Sequence, residues 1–318
     1  MDWNLFSFHH CNSTFTVGLT PLYLTMPLSP SHPLLNRIPR PRRETPDHVI
    51  DQLKEAVSAD DMDTFREVLS VQTRISELVD VMSEALVCDH AGAAYQLLRR
   101  GMAPNRVFAR KAIAARAKKC LAVFFDFGWD VNEPVNATET SVFAYAFADR
   151  DMALWLLERG ADLNVRPVID ITPLSHAVKY ATPDLLRELL DRGGDVQKGE
   201  VLQHALNRST DVVTVLGMLL DKGAPLNAVM YANHPGSWRM YFFLERGTPL
   251  HKAATIGNAE AVRFLLDRGA DPSIPNSKGR KALECAERAG HKEIVEMLAN
   301  ERVGHSKRLP TKRRSVAR

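Results

Sequence analysis

Between residues 47 and 300 the apolar positions fall in short blocks at helical spacing, and the blocks come in pairs divided by a polar turn. The segment TPLHKAATIGNAEAVRFLLDRGADPSIPNSKGR, from Thr248 to Arg280, shows the unit most plainly. Thr248 suits an N-cap, and Pro249 follows at the first helical position, where a missing N–H costs nothing. Leu250, Ala253 and Ala254 then form one stripe, and Gly257 supplies a left-handed residue that ends the helix. A second helix carries Val262, Leu265 and Leu266 and closes at Gly269. Neither helix can cover its own stripe, while the small alanines let another helix approach closely. The pattern predicts a helix pair that is stable only against neighbouring copies.

Copies are present. Thirty-three residues after Thr248 the pattern restarts at Lys281, with Leu283 for Leu250, Ala286 for Ala253 and Gly290 for Gly257. TPLSHAVKYATPDLLRELLDRGGDV starts a copy at Thr172, and SVFAYAFADRDMALWLLERGADLN, from Ser141, is the same unit shortened by two residues. With the inner alanine as a marker, the series is Ala56, Ala85, Ala112, Ala146, Ala177, Ala205, Ala253 and Ala286. The T-P-L-H-x-A string, the 33-residue period and the LLDRGAD ending resemble the ankyrin repeat, over residues 141–193 and 248–300 most closely. The degenerate early copies are similar in flavour to those of fungal ankyrin proteins. The resemblance implies an all-α ankyrin-repeat solenoid of about eight helix-pair units, with some β-hairpin loops, that binds proteins.

The links between units vary. From closing glycine to next start is 12 residues for Gly160 to Thr172 and for Gly269 to Lys281. It is 7 from Gly193 to Glu200 and 6 from Gly101 to Val107, so these links should lose the projecting hairpin finger. From Gly223 to Thr248 it is 25, and the surplus, NAVMYANHPGSWRMYFFLERG, holds Tyr231, Trp238, Tyr241, Phe242 and Phe243. A long loop with clustered Trp, Tyr and Arg has interface-like composition. The same aromatics could instead pack onto neighbouring helices, so the 229–246 insertion either binds or fills.

Composition delimits the rest. The chain has 318 residues, 45% hydrophobic and 25% charged, with no apolar run long enough to span a bilayer. Its four cysteines form no close pair, against a disulfide framework or a CxxC zinc site. The net charge of +3 divides unevenly: +6 on residues 304–318 and +2 on residues 1–46 leave −5 on the body. An acidic body is a poor surface for phosphate backbones, so no nucleic-acid binding by it is expected. Seven prolines in residues 1–46 predict a disordered arm, with the solenoid over 47–300 and a basic tail over 301–318.

Lys307, Arg308, Lys312, Arg313 and Arg314 form two basic clusters that read either as a nuclear-import signal or as a solubilising tail. Leu34 to Pro39 faintly resembles the opening of an F-box, which would imply a ubiquitin-ligase substrate adaptor.

No HExxH, GxSxG, GxxxxGK or GxGxxG string occurs, and neither cofactor nor metal is expected. In ankyrin repeats the position of His251 ties adjacent loops to backbone, and His176 and His204 also neighbour inner alanines. Asp60, Asp61 and Asp63 fall at a helix start, where carboxylates favour the dipole. Cys88, Cys120 and Cys285 read as core thiols. The expected function is a non-catalytic, monomeric interaction scaffold or adaptor, cytoplasmic or nuclear, with a nuclear regulator as the alternative. Its expected contact residues are Asn136, Thr138, Asn276 and Lys278 at finger tips and Trp238, Tyr241 and Phe242 in the insertion.

Overall fold

The structure, a computed structural model, describes residues 44–70 and 73–308, for 301–308 the backbone alone. All eight marker alanines are buried, none more than 5% exposed, and each lies in the first helix of a pair. The pairs are α1 (Asp47–Ser58) with α2 (Met62–Ser70), α3 (Val79–Val87) with α4 (Ala91–Arg99), and α5 (Arg106–Ala114) with α6 (Lys118–Asp126). A 3-10 segment, Val142–Ala148, then pairs with α7 (Arg150–Leu157). It is followed by α8 (Pro173–Tyr180) with α9 (Pro183–Asp191), and α10 (Val201–Ala205) with α11 (Val212–Asp221). The insertion contributes α12 (Pro235–Met240). Last come α13 (Pro249–Ile256) with α14 (Ala259–Asp267), and α15 (Ala282–Ala289) with α16 (Lys292–Arg308). First helices pack on first helices and second on second, so one apolar core runs the length of the stack.

The local chemistry is as the pattern predicts. Thr172 and Thr248 each cap the helix that follows, with proline next in line. The shortened fourth unit becomes a 3-10 helix because that form rises about 2.0 Å per residue against about 1.5 Å for an α-helix. At that rise its seven residues span at least the length of the eight-residue α13. Phe143 and Phe147 fill the tighter turn edge to face, 4.9 Å apart.

Fingers are scarcer than expected. Among the described residues only β1 (Pro134–Asn136) and β2 (Glu139–Ser141) pair, antiparallel, with Asn136 opposite Glu139. The link after Gly269 instead closes as a turn, Asn276 N–H donating to the Arg280 carbonyl at 2.7 Å.

A row of side-chain amides joins the units below the fingers. Asn132 donates to the Gly160 carbonyl (2.8 Å) and accepts from Asp162 N–H (2.7 Å). Asn164 repeats this with Gly193 and Asp195 at 2.9 and 2.8 Å, and Gln197 donates to Gly223 at 2.7 Å. Asn227 does the same to Gly269 and Asp271, at 3.3 and 2.9 Å, across the whole insertion. The insertion is thus looped out without disturbing the register beneath it.

Candidate protein-interaction surface

The insertion has two sides. Its inner side is pinned by polar contacts of three kinds. Ser237, fully buried, accepts through Oγ from Asp170 N–H at 2.7 Å, and His234 Nδ1 accepts from Ser237 N–H at 3.1 Å. Tyr231 N–H donates to Glu200 Oε1 at 2.6 Å, and Met230 N–H to the Gly247 carbonyl at 3.1 Å. Arg246, 5% exposed, stacks its guanidinium 3.5 Å from the Trp238 ring centroid and donates to the Trp238 carbonyl at 2.6 Å.

Asp170 belongs to the link that leads into the fifth unit, whereas the insertion precedes the seventh. The sixth unit is the one whose 7-residue link has lost its finger. The surplus in one link therefore spans the deficit in another. A methyl on Gly236 would come within 2.9 Å of the Val168 carbonyl, so that approach needs a glycine.

The outer side of the insertion is bare. Phe242 is 71% and Phe243 61% exposed, with Trp238 and Met240 beside them in the chain and also exposed. Tyr231 stacks on Tyr241 at 5.4 Å, and Phe243 meets both Tyr241 and Phe242 edge to face. Both readings of the insertion therefore apply, to opposite sides: Tyr231 packs, while Phe242 is presented. Burial pushes the Tyr231 phenol far up and the Tyr241 phenol up, so neither ionises near neutrality.

Of the finger residues, Asn136 and Thr138 stand exposed at the β1–β2 tip, where Asn136 Oδ1 accepts from Thr138 N–H at 2.8 Å. Lys278 is also exposed. Asn276 does not project. It is 6% exposed, donates to Glu245 Oε1 at 2.5 Å, and accepts from Lys278 and Arg280 N–H. A side chain with that many internal bonds is the framework of its turn, and a partner would have to break it.

The titratable candidates resolve into structural roles. His251 Nδ1 accepts from Thr248 N–H (3.1 Å), so Nε2 carries the proton that goes to the Arg280 carbonyl at 3.0 Å. Burial lowers its proton affinity in keeping with that neutral form. His176 and His204 are pushed down to about 4 and about 3, by burial first. Asp61 caps Thr64, Asp63 pairs with Arg66 at 2.9 Å, and Asp60 meets His90 at 2.8 Å, so the three carboxylates diverge. Cys120 and Cys285 are buried, with thiols raised by burial to about 12 and about 11. Cys88 is a correction: it lies exposed just past the end of α3, outside the core. Lys307 and Arg308 fall in the last turn of α16. Lys312, Arg313, Arg314 and the Leu34–Pro39 segment lie outside the described residues.

Threonine-proline helix starts, a histidine bound to the next turn, and paired helices stacked through alanine define an ankyrin-type repeat. The chain carries ankyrin repeats: the family model described as ankyrin repeats (3 copies) matches residues 233–309. Over 146 residues the chain is 30% identical to ankyrin repeat protein nuc-2 of Neurospora crassa, covering 45% of this chain and 13% of that protein. It is 30% identical over 125 residues to a probable E3 ubiquitin-protein ligase, XBOS34, of Oryza sativa subsp. japonica (38% of this chain, 22% of the relative). It is 41% identical over 64 residues to the human ARF GTPase-activating protein GIT1 (20% and 8%). The chain thus spans less than a quarter of the length of each of these relatives.

Proposed function

We propose that this chain acts as a non-catalytic scaffold or adaptor, holding a folded partner against the outer side of the 229–246 insertion, the finger tip at Asn136 and Thr138, and Lys278 on the turn after Gly269. The carrying observation is the pair Phe242 and Phe243, 71% and 61% exposed on a loop whose other side is fixed by buried bonds. Such a loop presents apolar area without an ordering cost at binding. Ankyrin repeats are interaction modules, and Asp61, His251 and Cys120, which could do chemistry, are engaged in capping, bridging and the core.

Proximity labelling in cells with the wild type and the double variant Phe242→Ser, Phe243→Ser tests it. Both rings are exposed, so the fold should persist while specific partners drop out of the labelled set. An unchanged partner set, with Asn136→Ala and Lys278→Glu also silent, would sink the reading.

A further inference from the structure

One position before each marker alanine, the inner helices carry a row whose charge changes along the stack. It reads Glu55 and Glu84 in the first two units, and Lys111, His176, His204 and Lys252 in four of those that follow. The basic part is unbalanced. Lys252 donates to the Gln203 carbonyl at 2.7 Å, and among the described residues no carboxylate forms an ion pair with it. Burial lowers its proton affinity to about 8, and Lys179 on α8 lowers it further, while Glu200 opposes both. Lys179 likewise depresses His176 and His204. His176 and His204 are therefore uncharged near neutrality, and the positive charge on this stretch of the inner face, within a body of net charge −5, comes from its lysines, Lys252 among them.

Lys252 lines a groove of about 500 Å³ between the base of the insertion and helices α13 and α15. Arg288 offers donors there, whereas the Thr255 hydroxyl already donates to the His251 carbonyl at 2.8 Å, and Met230, Ile256 and Ala289 offer apolar surface. Ile256 is 47% exposed. The acid in the wall, Glu245, is paired with Arg280 at 2.5 Å and accepts a hydrogen bond from Asn276. An ammonium held against one carbonyl has donors to spare.

We propose that this groove receives the carboxylate of a single acidic side chain from an extended peptide. Lys252 and Arg288 bind it, and the residue next to it rests on Met230 and Ile256. Charge complementarity selects the acid, and the apolar wall selects a peptide over a polyanion. A continuous phosphate backbone would have to pass Glu55 and Glu84 on the same row. The inference rests on the protein-binding reading above, but at a different surface and with a stated partner chemistry.

The test is selection of random dodecapeptides on phage against the full chain. Selected sequences should share one Asp or Glu beside an apolar residue. A selected peptide should bind at least about tenfold more weakly to Lys252→Met, and similarly when its acid is changed to the amide. Because Lys252 also holds the Gln203 carbonyl, Arg288→Glu is the second variant; its side chain is exposed and forms no ion pair among the described residues. Absence of an acidic motif, or unchanged affinity in Arg288→Glu with a folded circular dichroism spectrum, overturns the proposal. So does binding of a labelled oligouridylate that both variants abolish. Peptides that depend on Phe242 and ignore Lys252 and Arg288 would overturn it too, while leaving the scaffold reading intact.

Discussion

The last two repeats and the first three turn from inner to outer helix at the same place, four residues past the marker alanine, with different residues. Gly257 and Gly290 occupy it in the last two, at φ 77° and 78°. Asp60, Asp89 and Arg116 occupy it in the first three, at φ 57°, 49° and 60°, a region that disfavours any side chain. Each of the three uses its side chain to grip the start of the next unit's outer helix. Asp60 holds His90, which caps Ala93 N–H. Asp89 accepts from Lys119 and Cys120 N–H at 3.3 and 3.0 Å, capping α6 from outside. Arg116 pairs at 2.5 Å with Asp149, which caps Met152. In the last two units the grip comes from the other side, as His291 reaches back to the Thr255 carbonyl at 3.1 Å. That ring occupies the space a Cβ on Gly257 would need, at 2.5 Å. The early repeats look degenerate because a side-chain clamp has replaced the family's glycine, and their packing is no looser.

The comparison can be broken most directly in the core. Leu97 and Leu265 occupy equivalent positions, both fully buried. Each change to alanine should cost about 2–5 kcal/mol in urea unfolding. A much smaller loss at Leu97 would mean that the early repeats are loosely packed after all.

A second test concerns the bridged middle. Burial raises the Glu200 carboxyl to about 7, above its unfolded value, so the folded state favours the neutral acid. Its contribution is therefore present at low pH and lost as pH rises from about 4.5 through 7, on the order of 2–3 kcal/mol. Glu200→Gln keeps an acceptor for Tyr231 N–H and should remove that decline from the wild-type-minus-variant stability curve. A flat difference across that range would contradict the burial of Glu200.

Smaller effects separate the two kinds of turn. Gly257→Ala should lose about 1–2 kcal/mol, because a methyl meets both strained backbone and the His291 ring. Asp89→Ala should lose about 1 kcal/mol, the worth of a helix cap. Arg116→Gly trades an exposed ion pair for a relaxed turn and should shift stability by no more than about 0.5 kcal/mol. If Asp89→Ala were neutral by thermal melting, the clamp would be incidental.

Much of the stack is legible in the sequence. The alanine series located every inner helix, and link lengths located the surplus, but the two 12-residue links that length alone would give a finger form none. What escaped depends on distance in the chain. Ser237 and Asp170 lie 67 positions apart, and no periodicity connects them. The deficit after Gly193 and the surplus after Gly223 were both countable, and only their meeting in space shows that one answers the other. Asn276 was misplaced because polarity at a loop suggests exposure, whereas its amide is spent inside the turn. The groove at Lys252 left no mark, since a lysine on a helix usually reaches solvent. The amide row could have been found, because Asn132, Asn164, Gln197 and Asn227 all follow a closing glycine at a fixed offset.

The bond from Ser237 to Asp170 has a statistical-mechanical consequence. In an ordinary linear array each unit is coupled to its immediate neighbours alone, so a boundary between folded and unfolded stretches can form anywhere at similar cost. Here the insertion ahead of the seventh unit is also bonded to the link of the fifth, which adds a next-nearest-neighbour term across the sixth. Units five to seven should therefore open together as one cooperative block. Fraying can then begin from either end and must stop at its edges, which places the exposed aromatic face on the part of the molecule that unfolds last.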